Sequence, residues 1–211
     1  MTRFMYILDA GHGGINPETG KYVTSGKRSP KFDDGSVFYE GVNNRDNVTR
    51  LYDAMKAEGM QVMKLVDTWK DIPLSQRTNT INQIHKEKKC IVISVHSNGA
   101  GNGRDWYSAK GIEVFTSIGD TGHSDDLANT IMNELICQFD DTVKWRVDTS
   151  DGDLDKESQF WILRKTNCPS VLLELGFHTN KEECIRMQTE EFKTKCIQAV
   201  IDAIKSFEDS L

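Results

Sequence analysis

The chain has 211 residues, enough for one domain with a sizeable core. Its formal net charge is −6 and it has no basic run with interleaved aromatics, which argues against nucleic acid or acidic polymers as partners. No stretch is long and apolar enough to span a membrane, so no membrane insertion is expected.

The first residues, Met1-Thr2-Arg3-Phe4-Met5-Tyr6, run straight into a predicted strand over about Phe4 to Asp9. They lack the longer apolar region and small-residue cleavage site of a signal peptide. The expectation is synthesis in a cytoplasm, with any export by another route. A polar segment from Ile15 to Tyr39 follows, rich in Gly, Lys, Asp and Ser. It is too long for an ordinary connection between a strand and a helix, and such loops are often functional. A helix is predicted from about Asn43 to Glu58, with Val48, Leu51 and Met55 on its apolar side and Gly59 in the C′ position. Met60 to Val66 reads as a strand. Leu74 to Glu87 reads as a helix with Ile81 and Ile84 inward, and Lys86, Lys88 and Lys89 suit its C-terminal end.

Cys90 to Val95 is the next strand, Asn98 to Lys110 a loop, and Gly111 to Ser117 a strand. Ser124 is the expected N-cap of a helix to Phe139, with Leu127, Ile131 and Leu135 at helical spacing. Trp145 to Glu157 is acidic and irregular. Phe160 to Arg164 and Ser170 to Glu174 are predicted strands. Asn180 and Glu183 form a capping-box pattern before a short helix, and Thr189 to Phe207 is a final amphipathic helix. There are no repeats and no linker. The alternation predicts a single domain over 1–211, a three-layer α/β/α sandwich on a mostly parallel twisted sheet, with an inserted loop at 15–39.

The five cysteines, Cys90, Cys137, Cys168, Cys184 and Cys196, are odd in number and have no CxxC spacing. Cys90, Cys137 and Cys196 fall on apolar phases, so reduced core thiols are expected and a zinc ribbon is not.

Three apolar runs each deliver a residue that can hold or use a metal. These are Ile7-Leu8-Asp9-Ala10-Gly11-His12, Ile91-Val92-Ile93-Ser94-Val95-His96 and Val171-Leu172-Leu173-Glu174. Such runs read as strands buried on both faces, and ligands in open α/β sheets bind beyond the strands' carboxyl ends. Two histidines and one carboxylate form an established catalytic zinc set, with water as the fourth ligand. His12 and His96 supply the nitrogens. Glu40, where the chain returns from the long segment, is the chosen third ligand, with Glu18, Asp33 and Asp34 as competitors. Glu174 is costly to bury without a partner and, near an activated water, is placed to act as base and then acid; the rival reading is an ion pair with a cation such as Arg164.

The remaining motifs are weaker. Gly11-His12-Gly13-Gly14 lacks the patterns of a phosphate loop. His85 is expected to face solvent, His123 to begin a helix, and His178 to cap or lie exposed sooner than to line the site rim. Asp151-Gly152-Asp153-Leu154-Asp155 resembles a calcium loop, but Lys156 stands where Gly is needed and Ile162 where Glu is needed, so a solvated acidic loop is expected.

With these residues in place, nearly the whole chain resembles the zinc-dependent N-acetylmuramoyl-L-alanine amidases of the type-3 amidase family. Asp9-Ala10-Gly11-His12-Gly13-Gly14 resembles the first metal motif, with Ala10 where Pro is usual. Glu40 with Asn44 resembles the second, after a gap longer than the family's; Leu74-Ser75-Gln76-Arg77 resembles the Leu-x-x-Arg segment ahead of the third, and Ser94-Val95-His96-Ser97-Asn98 resembles the third itself. Gly111-Ile112-Glu113-Val114-Phe115, Leu163-Arg164 and Val171-Leu172-Leu173-Glu174-Leu175-Gly176-Phe177 resemble the later motifs. The family's Thr-Arg after the second strand is missing, with Val66 near that place.

The resemblance implies one Zn2+ per chain on His12, Glu40 and His96, with Glu174 as catalytic acid and base. It implies peptidoglycan as the partner, cut at the amide between the lactyl group of N-acetylmuramic acid and L-alanine. Arg164 and Asn98 are expected to orient substrate or the groups that support the site residues. A single-domain phage endolysin released through a holin fits this reading, and a bacterial wall-remodelling enzyme is the other source. A zinc peptidase on other peptides and a non-catalytic wall-binding module remain as alternatives, and the sequence does not fix the oligomeric state.

Overall fold

The computed structural model describes residues 2–119, 122–139, 143–150 and 152–211. Six strands are described: β1 (Met5–Ala10), β2 (Val62–Lys64), β3 (Cys90–Asn98), β4 (Glu113–Ser117), β5 (Lys156–Ser158) and β6 (Ser170–Phe177). They form one sheet in the order β2-β1-β3-β6-β4-β5. The β1–β2, β1–β3, β3–β6 and β4–β5 pairs are parallel, and β4 runs antiparallel to β6. The helices are α1 (Glu40–Ala57), α2 (Leu74–Glu87), α3 (His123–Gln138), α4 (Trp161–Lys165), α5 (Lys181–Arg186) and α6 (Glu190–Ser210).

The strands alternate between two apolar layers, as a period of two requires. Tyr6, Leu8, Ile91, Ile93, Val171 and Leu173 face a core shared with α1, α3 and α6. Ile7, Cys90, Val92 and Leu172 face a smaller core with Ile81 of α2 and Ile162 and Leu163 of α4. Both faces are covered, which is why the runs in β1, β3 and β6 read as continuous apolar stretches. Beyond Val92 and Leu172, the same phase of β3 and β6 carries Ser94, His96 and Glu174. The sheet therefore ends in polar groups on the side of α2 and α4.

Several expectations are corrected. Phe160 to Arg164 is not a strand. The Arg164 amide donates to the Phe160 carbonyl at 3.0 Å, a helical bond, and adjacent Ile162 and Leu163 both enter the core, which one strand face cannot allow. α1 begins at Glu40, earlier than expected, so the proposed ligand lies inside the helix. The N-cap of α3 is Gly122; the Ser124 hydroxyl instead accepts from the Ser170 amide at 3.0 Å. Asn180 caps α5 by accepting from the Glu183 amide, but the Glu183 carboxylate turns to the amides of Gly111 and Phe177, so the capping box is not closed. Cys137 is exposed, unlike Cys90 and Cys196. His85 is only half-exposed, with its ring turned to Cys90.

The acidic segment before α4 is also not a solvated loop throughout. Asp151 lies outside the described residues, but Lys156–Ser158 pairs with β4, and Asp155 is fully buried. Its Oδ2 accepts from the Thr116 hydroxyl at 2.8 Å and its Oδ1 has no hydrogen-bond partner. Burial pushes the Asp155 carboxyl up to about 7, with Asp153, Asp125 and Glu157 adding repulsion against the Thr116 bond. The folded pKa exceeds the unfolded one, so folding favours the protonated acid. That preference weakens as pH rises from about 4 to about 7, and above that range the buried charge costs its full penalty. Asp155→Asn should therefore raise stability by about 1–3 kcal/mol at pH 8, the scale of an unsatisfied buried group, and by much less at pH 4. Urea unfolding at the two pH values measures this, and equal effects at both would refute it.

Candidate metal centre and active site

His12 lies just past β1 with φ 64, the one non-glycine residue with positive φ among the described residues. Such a conformation is uncommon for a side chain of this size and must be held from outside. Two guanidinium groups do this. Arg77 of α2 and Arg45 of α1 donate to the His12 carbonyl at 3.0 and 2.8 Å. Arg77 is buried, ion-paired with Asp9, and also donates to the carbonyls of Ala10 and Ile72 at 2.6 and 2.9 Å. Asp9 in turn accepts from the Ser94 hydroxyl at 2.8 Å, which ties β1 to β3 beneath the site.

Glu40 is 1% exposed. Its amide donates to the Lys27 carbonyl at 3.1 Å, so the long segment packs against the candidate ligand it delivers. Its Oε1 sits 3.2 Å from His12 Nε2 and 3.1 Å from His96 Nδ1. Burial alone would raise the Glu40 pKa, but the hydrogen bonds from His12 and His96 outweigh it and hold the group far below the usual carboxylate range. At His96, burial opposes protonation, and the Glu40 hydrogen bond and the Glu174 charge overcome it.

The three donor atoms lie within 4.8 Å of one another. Ligand atoms bonded to zinc in a tetrahedron at about 2.0–2.1 Å stand about 3.3 Å apart. The separations around Glu40 Oε1 are close to that edge, and Glu40 Oε2 is buried without a hydrogen-bond partner. The donor set therefore fits a zinc ion. Glu18, Asp33 and Asp34, the competing carboxylates, lie exposed on the long segment.

Glu174 stands directly beside His96 in the β3–β6 register and is 8% exposed. Burial pushes its carboxyl up to about 8, with Glu40 and Glu113 adding repulsion against the pull of His96. Its Oε2 has no hydrogen-bond partner. Arg164, the rival ion-pair partner, is exposed with its guanidinium 5.9 Å from the Trp161 ring centre.

A cavity of about 460 Å³ joins these groups. His12, Glu40, His96 and Glu174 lie on its floor, with Lys27 of the long segment and Phe160 and Trp161 among its walls. Asn98 also lines it, but its amide donates to Glu113 at 2.7 Å and its oxygen accepts from the Gly99 amide. Arg164 does not line it and reaches it only through Trp161.

His178, expected to cap or lie exposed sooner than to line the site rim, takes the rim position. It is buried, lines the cavity, and donates from Nδ1 to the Ser97 carbonyl at 2.9 Å. The same nitrogen lies 3.9 Å from Glu40 Oε2. Burial holds its pKa below the ordinary value, against the pull of Glu40. The available signal was its place four residues after Glu174, immediately beyond β6.

Residues 7–206 match the family of N-acetylmuramoyl-L-alanine amidases. The chain belongs to this family. It is a peptidoglycan amidase, a hydrolase of the cell wall. The uncharacterized protein YqiI of Bacillus subtilis is 27% identical over 203 residues, covering 96% of this chain and 84% of that protein. An uncharacterized cell wall amidase of Bacillus anthracis is 26% identical over 95% of the chain, which spans 35% of that longer protein. The crystal structure of N-acetylmuramoyl-L-alanine amidase from Clostridium difficile 630 superposes with a TM-score of 0.76 at 22% identity, covering 100% of this chain and 99% of the other. The amidase fold is thus shared at low sequence identity.

The close approach beneath the centre yields a test. A Cβ added at Gly11 would overlap the His96 imidazole. Gly11→Ala should displace that ring and weaken zinc affinity by about 10–100-fold, the usual scale for disturbing a ligand's support, without unfolding the sheet. Competition with a chromophoric chelator, alongside circular dichroism, measures both; wild-type affinity in a folded variant would show that the contact is slack.

Proposed function

We propose that the amidase is zinc-dependent and cuts the amide between the lactyl group of N-acetylmuramic acid and L-alanine of the stem peptide. The observation that carries this reading is the placement of Glu174 in the cavity shared with His12, Glu40 and His96. These three residues would hold one zinc ion per chain, which when bound supplies Lewis-acid polarisation of a carbonyl and a lowered pKa for water.

Glu174 handles the proton. A carboxylate with one unpartnered oxygen is free to accept from the attacking water. Its raised pKa lets it keep that proton until the alanine nitrogen leaves. His178 and Ser97, both buried and hydrogen-bonded to each other, line the cavity beside Glu40.

Substrate positioning falls to the cavity walls. Lys27 offers a positive charge for a stem-peptide carboxylate, and Phe160 and Trp161 offer an apolar wall. We assign Asn98 to holding Glu113 beside Glu174, and Arg164 to stacking behind Trp161. The reading takes 1–211 as one catalytic unit in which 15–39 builds one groove wall; Ser25, Gly26 and Lys27 along the cavity support it.

Three measurements test the assignment. Glu174→Gln should keep zinc and fold but lose roughly a hundredfold or more in turnover, the scale of general acid–base catalysis. His96→Ala should lose both zinc and activity. Zinc loss in Glu174→Gln would instead make Glu174 a ligand and reopen the role of Glu40. Mass spectrometry of digested sacculi should show free muramyl carboxyl groups and new L-alanine amino termini. New amino termini inside the stem peptide would identify a peptidase, and intact sacculi a binding module.

Lys27→Ala should raise KM for polymeric wall while leaving the melting temperature nearly unchanged, because Lys27 is exposed and only its backbone supports Glu40. An unchanged KM would remove the long segment's side chains from substrate binding.

A further inference from the structure

At the amino-terminal ends of the central strands β3 and β6, three side chains converge that the amidase reaction does not use. His85 lies in the last turn of α2, Cys90 opens β3, and Cys168 precedes β6. We propose that His85, Cys90 and Cys168 form a second metal site, one that takes zinc through two thiolates and an imidazole.

The geometry carries the proposal. The three donor atoms lie within 4.8 Å of one another, and Cys90 Sγ is 3.5 Å from His85 Nδ1. Zinc bonds sulfur at about 2.3 Å and imidazole nitrogen at about 2.0–2.1 Å, so in a tetrahedron S and N stand about 3.6 Å apart. Cys90 and His85 already hold that spacing, and Cys168 lies within 4.8 Å of both. Soft thiolates with an imidazole select zinc over magnesium or calcium. Cys90 is 0% and Cys168 6% exposed, so the ion would be screened by Ile81, Val92 and Leu163 on the inner side. His85 is half-exposed next to the exposed Lys86–Lys89 turn, which leaves a route for the ion and a place for water as fourth ligand.

Charge and protons are consistent with this assignment. Zn2+ with two thiolates is neutral, so the neighbouring lysines oppose it little, and binding releases the thiol protons to solvent. The three donors come from three elements, so the ion has a structural part: it fastens the end of α2 to the starts of β3 and β6. Their other ends carry the catalytic floor.

Cobalt distinguishes this site from the catalytic centre. Fully reduced full-length protein, stripped with a chelator, is titrated anaerobically with Co2+. The expected result is two equivalents bound, one of them giving the intense near-ultraviolet charge-transfer absorption of thiolate-bound cobalt. His12, Glu40 and His96 contain no sulfur and cannot give that band, so failure here and failure of the amidase centre read differently. Zn2+ should bleach the band, and His85→Ala should weaken it. Zinc should also protect two of the five thiols from Ellman's reagent in the wild-type protein, a readout that needs no cysteine variant to fold. One equivalent of cobalt without a charge-transfer band, and thiol reactivity indifferent to zinc, would overturn the proposal and leave a thiol hydrogen-bonded to His85.

Discussion

The structure depends on a guanidinium buried beneath the first strand-to-loop turn. Arg77 has almost no access to solvent, and its desolvation is offset only because Asp9 and three backbone carbonyls meet its donors. Those partners come from β1, the His12 turn and the approach to α2. One side chain thus joins the sheet to a helix and imposes a strained backbone on a proposed ligand. Buried charges of this kind add less stability than specificity of arrangement. Here the arrangement is the direction in which the His12 ring points.

A second consequence of that arrangement is electrostatic. Glu40 and Glu174 occupy one cavity yet are driven opposite ways. Glu40 receives hydrogen bonds from two imidazoles and is held as an anion. Glu174 has lost water without gaining a comparable partner, and its carboxyl is pushed toward the neutral form. Two carboxylates given unlike environments are suited to unlike work, one to hold a cation and one to exchange a proton.

Much of this was legible in the chain because buried parallel strands leave a plain signature. The runs at Ile7–Leu8, Ile91–Val95 and Val171–Leu173 announced β1, β3 and β6, and the polar residues following them fell at one sheet edge. Glu40 followed from its place before a long helix. The failures have physical causes too. Phe160 to Arg164 is short enough to suit either a strand or a single helical turn, and only its tertiary neighbours decide. β5 is three residues long and is defined by its pairing with β4 more than by its own composition. His85, Cys90 and Cys168 have no recognisable spacing, since the residues that meet belong to three elements joined only by the fold. His178 looked peripheral because nothing in its neighbours shows that the chain turns back toward Glu40 there.

The long segment between His12 and Glu40 has a further meaning in its ends. Ile15 pairs with Tyr22 and Arg28 with Tyr39, so it consists of two small closed turns. At its far end, Gly41 passes so near the Gly13 carbonyl that no side chain would fit between them. The proposed ligands are therefore clamped at the base and by the middle of the segment, where Tyr22, Val23, Thr24 and Lys27 bond to Gly41, Gly14, Gly13 and Glu40, and only the tips of the two turns are free of them. Closing a longer loop costs little additional entropy. The fold can accept turns of different length and chemistry in this place without retuning the metal centre. A new wall target then becomes a matter of exchanging a module on an unchanged catalytic floor.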